Sequence, residues 1–306
     1  LSRIDPLFLI LALGLHVAAL AVWAAKIQKM AQSLGYRVGF LYCLNLVNAN
    51  LLIAAITPSQ AGGEPVRIHE LYAANVRLGD ATALVITERI LDGFVLAIGG
   101  AVTIFLLGTM SLSSWIGWLI LAAWIGVISI LLIFFYSMNN PDLLKRLAKR
   151  ASSPFTRKWD PDRVQRFGNR VDCEVDNFHS SLSLFTHQGR RGLLWGTFLT
   201  TVFWSLEFLT PSFILMGLGT SPHFVESFVA QIVIAIVMMV PLTPGGSGVA
   251  EVSAYSLYAL FVDSAIVGIF VMLWRAIFFY FNISLGVLSS IPILRRKVDR
   301  LDRDGR

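Results

Sequence analysis

Seven long apolar stretches dominate this sequence, at about 7–29, 39–57, 81–107, 114–136, 190–218, 222–242 and 264–291. Each approaches or exceeds the ~20 residues needed to cross a hydrocarbon core ~30 Å thick. In lipid, backbone N–H and C=O groups have to be satisfied within the segment itself, so such stretches are expected to be helices. Composition agrees: 56% of residues are hydrophobic and 14% charged, with a mean hydropathy of +0.68, whereas a soluble domain carries roughly 25% charged residues. A water-soluble globule and a disordered chain are both excluded. An all-α polytopic membrane protein is expected, with most of its 306 residues embedded. The first stretch is long and lacks a small-residue cleavage site, so it reads as a spanning helix and not as a signal peptide.

The 25 Lys and Arg residues outnumber the 19 Asp and Glu, giving a net charge of +6. The basic residues cluster between apolar stretches, a pattern that sets topology and does not point to nucleic acid. The longest polar region, 137–189, holds Lys145, Arg146, Lys149, Arg150, Arg157, Lys158, Arg163, Arg166 and Arg170, and the positive-inside rule places it in the cytoplasm. Within it Val164, Phe167, Val171, Val175, Phe178, Leu182 and Phe185 recur at helical spacing, opposite Arg163, Arg166, Arg170, Asp172 and Asp176. That is an amphipathic helix, packed along the bundle or lying at the interface. The two cysteines, Cys43 and Cys173, have neither disulfide nor metal-site spacing.

Two Pro/Gly breaks interrupt the apolar pattern, Thr57-Pro58-Ser59-Gln60-Ala61-Gly62-Gly63-Glu64-Pro65 and Thr243-Pro244-Gly245-Gly246-Ser247-Gly248-Val249-Ala250-Glu251. Short helices are expected after them, at 65–79 and 249–262, as broken or re-entrant segments. At an offset of 186, Thr57-Pro58 falls on Thr243-Pro244, Gly62 on Gly248, Leu71-Tyr72-Ala73 on Leu257-Tyr258-Ala259, Arg89 on Arg275 and Gly100 on Gly286, without a gap. An internal duplication follows. The expected organisation is a first repeat over 1–136 with its broken segment at 58–79, a basic linker over 137–189, and a second repeat over 190–306 with its broken segment at 243–262. If the broken segments cross, the basic stretches 26–37, 137–190 and 295–306 share the cytoplasmic side, which favours inverted repeats.

A charge inside a membrane helix costs at least ~2.5 kcal/mol on insertion scales, so each one raises a functional question. Glu88 and Asp92 share a helical face, and Arg89 can pair with Asp92 one turn on. Arg275 has no acid nearby in its own helix; Glu207 and Glu251 are the candidate partners. The helix starts after Pro58 and Pro244 would present free N–H groups suited to a phosphate. Gly62, Gly63, Gly245, Gly246 and Gly248 would let a ligand or backbone approach closely. Together these features suggest a positive cavity with apolar walls, suited to an amphiphile with an anionic head. His16, Asn45, Asn48, Asn50, Gln231 and Asn282 read as helix-to-helix bonds. Arg67, His69 and Glu70 read equally as snorkelling groups or as head-group or proton contacts.

With its Thr-Pro-Ser-Gln-Ala-Gly-Gly-Glu break, the following Thr87-Glu88-Arg89-Ile90-Leu91-Asp92, and Pro241-Leu242-Thr243-Pro244-Gly245-Gly246-Ser247-Gly248-Val249-Ala250-Glu251, the chain resembles the lysylphosphatidylglycerol synthase transmembrane-region family. That family includes the flippase half of the bacterial multiple peptide resistance factors, and the resemblance runs over essentially the whole chain. It implies translocation of a phospholipid or polyprenyl-phosphate carrier between leaflets. The expected site comprises Arg89 and Arg275 on the anionic head, with Thr57, Pro58, Gly62, Gly63, Thr243, Pro244, Gly245, Gly246 and Gly248 around it. Glu64, Glu88, Asp92, Glu207 and Glu251 would balance charge or couple protons. No catalytic residue, metal or cofactor is expected. Partners would be anionic membrane lipids, and either a second copy or a lipid-modifying enzyme, in the cytoplasmic (plasma) membrane. The alternatives are a membrane-embedded transferase or its accessory subunit acting on an isoprenoid-phosphate lipid, which should show a metal requirement and product formation, and an assembly scaffold.

Overall fold

The computed structural model describes residues 4–57, 62–107, 190–238 and 243–290, with isolated helical positions between 125 and 176. Pro58, most of the fourth apolar stretch, most of the basic linker with its amphipathic helix, and the C-terminal basic run lie outside the described residues. The described part is helical: α1 Pro6–Ser33, α2 Phe40–Ile56, α3 Gly63–Ala73, α4 Leu78–Leu107, α5 Arg190–Gly217, α6 Phe224–Val237, α7 Val249–Tyr258 and α8 Ser264–Ser290. Three of these, α1, α8 and residues 191–217 of α5, are long and apolar enough to cross a membrane, while α2 and α6 are apolar but shorter. The 30-residue α4 carries Asp80, Glu88, Arg89 and Asp92 along its length.

Local chemistry sets the helix ends. Asp5 caps α1 by accepting the Leu7 N–H at 2.9 Å, with Pro6 supplying the fixed φ of a first helical residue. Asp263 caps α8 in the same way through Ala265 N–H at 2.9 Å. The helix after the first break is shorter than its sequence suggests. It stops at Ala73, because Asn75 adopts a left-handed conformation with φ 65° and turns the chain into α4, which begins at Leu78. Gly63 and Val249 open α3 and α7, and Leu78 and Ser264 open α4 and α8; each pair is separated by 186 residues.

The core falls into three parts. Ile27, Met30, Leu46, Leu71 and Leu84 pack α1 to α4 together. Leu215, Ile234, Ala254, Tyr258 and Phe270 do the same for α5 to α8, and Leu96, Phe208, Ile232 and Ile236 join α4 to α5 and α6. The most extensive contact is α1 along α5. The two run antiparallel: Asp5 donates to the Gly217 carbonyl at 2.8 Å, while Gly196 near the start of α5 meets Met30 near the end of α1. Contacts also cross between the halves in a reciprocal way. Gly99 of α4 is closed on by Ile232 of α6, and Gly286 of α8 by Leu52 and the Asn48 carbonyl of α2. Any side chain at these glycines would collide, as small residues at close membrane crossings require.

Candidate functional site

The two breaks meet at the centre of this packing. Gly245 donates its N–H to the Thr57 carbonyl at 3.2 Å, and a Cβ at Gly245 would lie 2.5 Å from the Ala55 carbonyl. Gly245, Gly246 and Gly248 hold φ of 57°, 68° and 86°, which residues with a Cβ adopt only at a cost. Beside this junction lies a cavity of about 600 Å³, walled mostly by apolar side chains such as Leu20, Leu96, Phe203, Phe208, Met238 and Phe278. Its polar wall includes His16, Lys26, Glu64, Arg89, Asp92, Glu207, Arg275 and Asn282. The volume falls within the ~300–1,000 Å³ usual for ligand sites.

Both long-helix arginines reach the cavity, and each is met by a glutamate from the first turn of the short helix in its own half. Arg89 Nε lies 2.8 Å from Glu64 Oε1 and its Nη1 3.6 Å from Asp92. Arg275 Nε donates to Glu251 Oε1 at 2.6 Å and its Nη2 to Ser247 Oγ at 3.3 Å, with the guanidinium carbon 4.3 Å from the Phe279 ring centre. Of the two partners considered for Arg275, Glu251 is the one in contact. Glu207 instead accepts from His16 Nδ1 at 3.0 Å, and His16 Nε2 sits 2.9 Å from Asn282 Oδ1.

Behind Arg89 lies a network that sequence reasoning missed. Lys26, counted from sequence among a cytoplasmic basic stretch, is 1% exposed and lies 3.3 Å from Glu88 and 3.2 Å from Asp92. Arg67 is equally buried and pairs with Glu88, which is itself fully buried. Trp23 Nε1 donates to Glu88 at 3.2 Å, and Trp204 Nε1 to Asp92 at 3.3 Å. Lys26, Arg67 and Arg89 thus share the buried Glu88 and the partly buried Asp92, and the buried members rely on one another, as buried charges have to. An apolar-flanked lysine about two turns before a helix end was the available signal, and its reach toward Glu88 and Asp92 depended on tertiary packing.

Two expectations need correction. The cavity is not uniformly positive, since Lys26, Arg89 and Arg275 on its wall stand against Glu64, Asp92 and Glu207. The helix starts are not bare anion sites either. Glu251 Oε2 accepts the Gly248 N–H at 2.7 Å at the start of α7, and Thr57 Oγ1 accepts the Gly62 N–H at 3.1 Å before α3. Gly62 and Gly63 press on protein, with a Cβ at Gly63 meeting the Asn50 amide at 2.3 Å. Thr243 and Pro244 lie in the turn ahead of Gly245, where the Thr243 carbonyl accepts the Gly246 N–H at 3.1 Å and the Pro244 carbonyl accepts the Ser247 N–H at 3.1 Å. His69 is exposed and its Nδ1 lies 3.3 Å from Glu70.

The family model for the lysylphosphatidylglycerol synthase TM region matches residues 1–286. The chain belongs to that family. Among curated relatives, a UPF0104 membrane protein of Archaeoglobus fulgidus is 34% identical over 94% of this chain and 87% of its own length. A UPF0104 membrane protein of Methanothermobacter thermautotrophicus is 25% identical over 95% of this chain and 87% of its own. No solved structure matches the chain. The family match covers both breaks and both arginines, so the cavity belongs to the part of the chain that the family shares.

Proposed function

We propose that the protein is a lipid flippase or transporter that moves an anionic phospholipid or polyprenyl-phosphate lipid between leaflets through the cavity where the two breaks meet. The observation that carries this reading is the placement of Arg89 and Arg275, one from each half, on the wall of a single, mostly apolar cavity. An anionic head competes with Glu64 and Glu251 for the two guanidinium groups, whose forked donors match a phosphate. The apolar wall accommodates the start of the tails. In this reading the protein acts as a transporter and not as an enzyme.

In this reading the two halves are inverted repeats. Support comes from the shared 186-residue spacing of the short and long helices and from the antiparallel run of α1 and α5, the first helices of the two halves. The basic linker then faces the cytoplasm, within the cytoplasmic membrane, where a lipid-modifying enzyme or a second copy could dock. The test is leaflet exchange of fluorescent anionic and zwitterionic lipids in proteoliposomes, comparing the parent with Arg89→Ala and Arg275→Ala at equal, folded incorporation. Head-group-dependent exchange that either substitution abolishes is the expected result. No exchange above empty liposomes, across lipid classes, would overturn the proposal and favour a transferase or scaffold.

A further inference from the structure

His16 stands apart from the other polar groups of the cavity because its protonation is constrained from both sides. It lies on α1, 2% exposed, against Glu207 of α5 and Asn282 of α8. Asn282 uses its Nδ2 to donate to the Phe278 carbonyl at 2.7 Å. Turning that amide over would set two oxygens against each other, so Asn282 presents Oδ1 to His16. His16 Nε2 therefore carries a hydrogen. Nδ1 faces Glu207 Oε1 at 3.0 Å, and a bare ring nitrogen against a carboxylate would be repulsive. One further proton has to lie between them, either on the imidazole beside a carboxylate or on a carboxylic acid beside a neutral imidazole.

The other surroundings offer no substitute for that proton. Phe278 and Phe281 cover the ring with centroids at 4.8 and 6.3 Å. The remaining charged groups on the same wall, Lys26, Glu64, Arg89, Asp92 and Arg275, are engaged in the pairs described above. Both His16 and Glu207 face the cavity, which gives the proton a path to whatever fills it.

We propose that His16 and Glu207 form one shared proton-binding site, loaded and emptied in the course of lipid movement; the coupling rests on the lipid-transport reading, the proton site does not. On loading, a proton from the cavity bridges Nδ1 and Oε1. On release it leaves to the cavity, His16 keeps its Nε2–H on Asn282, and the repulsion between the bare Nδ1 and the Glu207 carboxylate drives that pair apart. An unperturbed histidine changes state between about pH 5 and 8, which sets the range over which the site is tested.

Two measurements test the site and the coupling separately. In the purified, folded full chain labelled with 15N-histidine, the ring signals missing from His16→Gln identify His16. They are expected to change with pH across that range, and to change differently in Glu207→Gln, where the partner of the shared proton is gone. Ring signals that stay constant across the range, or that ignore Glu207→Gln, would overturn the proton site whatever the lipid assay shows. In proteoliposomes, a one-unit pH gradient coupled to one proton supports up to about tenfold lipid accumulation. The ratio of exchange in the two gradient directions is expected to exceed one for the parent and to fall to one in His16→Gln. Parent exchange with no directional bias would overturn the coupling and leave the flippase standing. No parent exchange at all would instead overturn the flippase.

Discussion

Arg89 and Arg275 are 186 residues apart and reach the same cavity, yet the electrostatics behind them differ. Arg89 is the outer member of a network. Its side chain is 45% exposed, and Lys26, Arg67 and Glu88 lie behind it at 1%, 1% and 0%. Arg275 is 8% exposed and rests on one carboxylate, one hydroxyl and one aromatic ring. Removing one member of the first cluster strands another charge in a dry core, whereas the second can open by breaking a single pair. On this contrast the first half is expected to behave as the anchor and the second as the part that opens more easily.

The largest effect should come from Glu88→Ala, which leaves Lys26 and Arg67 short of a buried counter-charge and should cost about 3–5 kcal/mol. Thermal unfolding in detergent would show it, and a near-neutral result would break the comparison. Glu251→Gln should cost less, about 1–3 kcal/mol, because the amide can still accept the Gly248 N–H while losing the charge facing Arg275. Equal losses for the two substitutions would mean that the halves are anchored alike.

The paired glycines sharpen the same contrast. Gly62 has an ordinary helical φ of −69° but no space, since a Cβ would lie 2.5 Å from Thr57 Cγ2. Gly248 has space but a φ of 86°. Gly248→Ala should cost about 1–2 kcal/mol through backbone strain. Gly62→Ala should be partly relieved by Thr57→Ser, a rescue that has no counterpart at Gly248. The smallest effect is expected at Gly14, where a Cβ meets nothing within 4 Å. Gly14→Ala should be neutral or stabilise by up to about 1 kcal/mol through helix propensity.

Much of the architecture was legible because lipid makes the code simple. Runs of apolar residues mark α1, α2, α4, α5, α6 and α8 to within a few residues, and Thr-Pro followed by glycines marks the breaks. Arg89, Arg275 and Glu251 stood out as charges in or beside such runs. What was not legible depends on which helix faces which. Lys26 sits near the end of its helix and looks like a boundary cation, yet α4 brings Glu88 and Asp92 to it. Arg67 belongs to a polar segment that reads as surface, yet packing against α4 buries it. His16 read as a helix-to-helix bond and makes two, but its partners lie 191 and 266 residues away and only the packing identifies them. The charge balance of the cavity was only half legible for the same reason: Glu64, Asp92 and Glu207 were expected to balance the arginines, but Lys26, which joins them on the wall, was not counted there.

The central claim is that lipid enters the space between the two halves. An anionic phospholipid with a photoreactive group next to its head, activated in proteoliposomes and mapped by mass spectrometry, tests it most directly. Adducts on the cavity wall at Phe203, Trp204, Phe279 or Ile90, competed away by unlabelled anionic lipid and reduced in Arg275→Ala, are expected. Adducts confined to the outer faces, at Leu41, Ile98 or Met272, would contradict it.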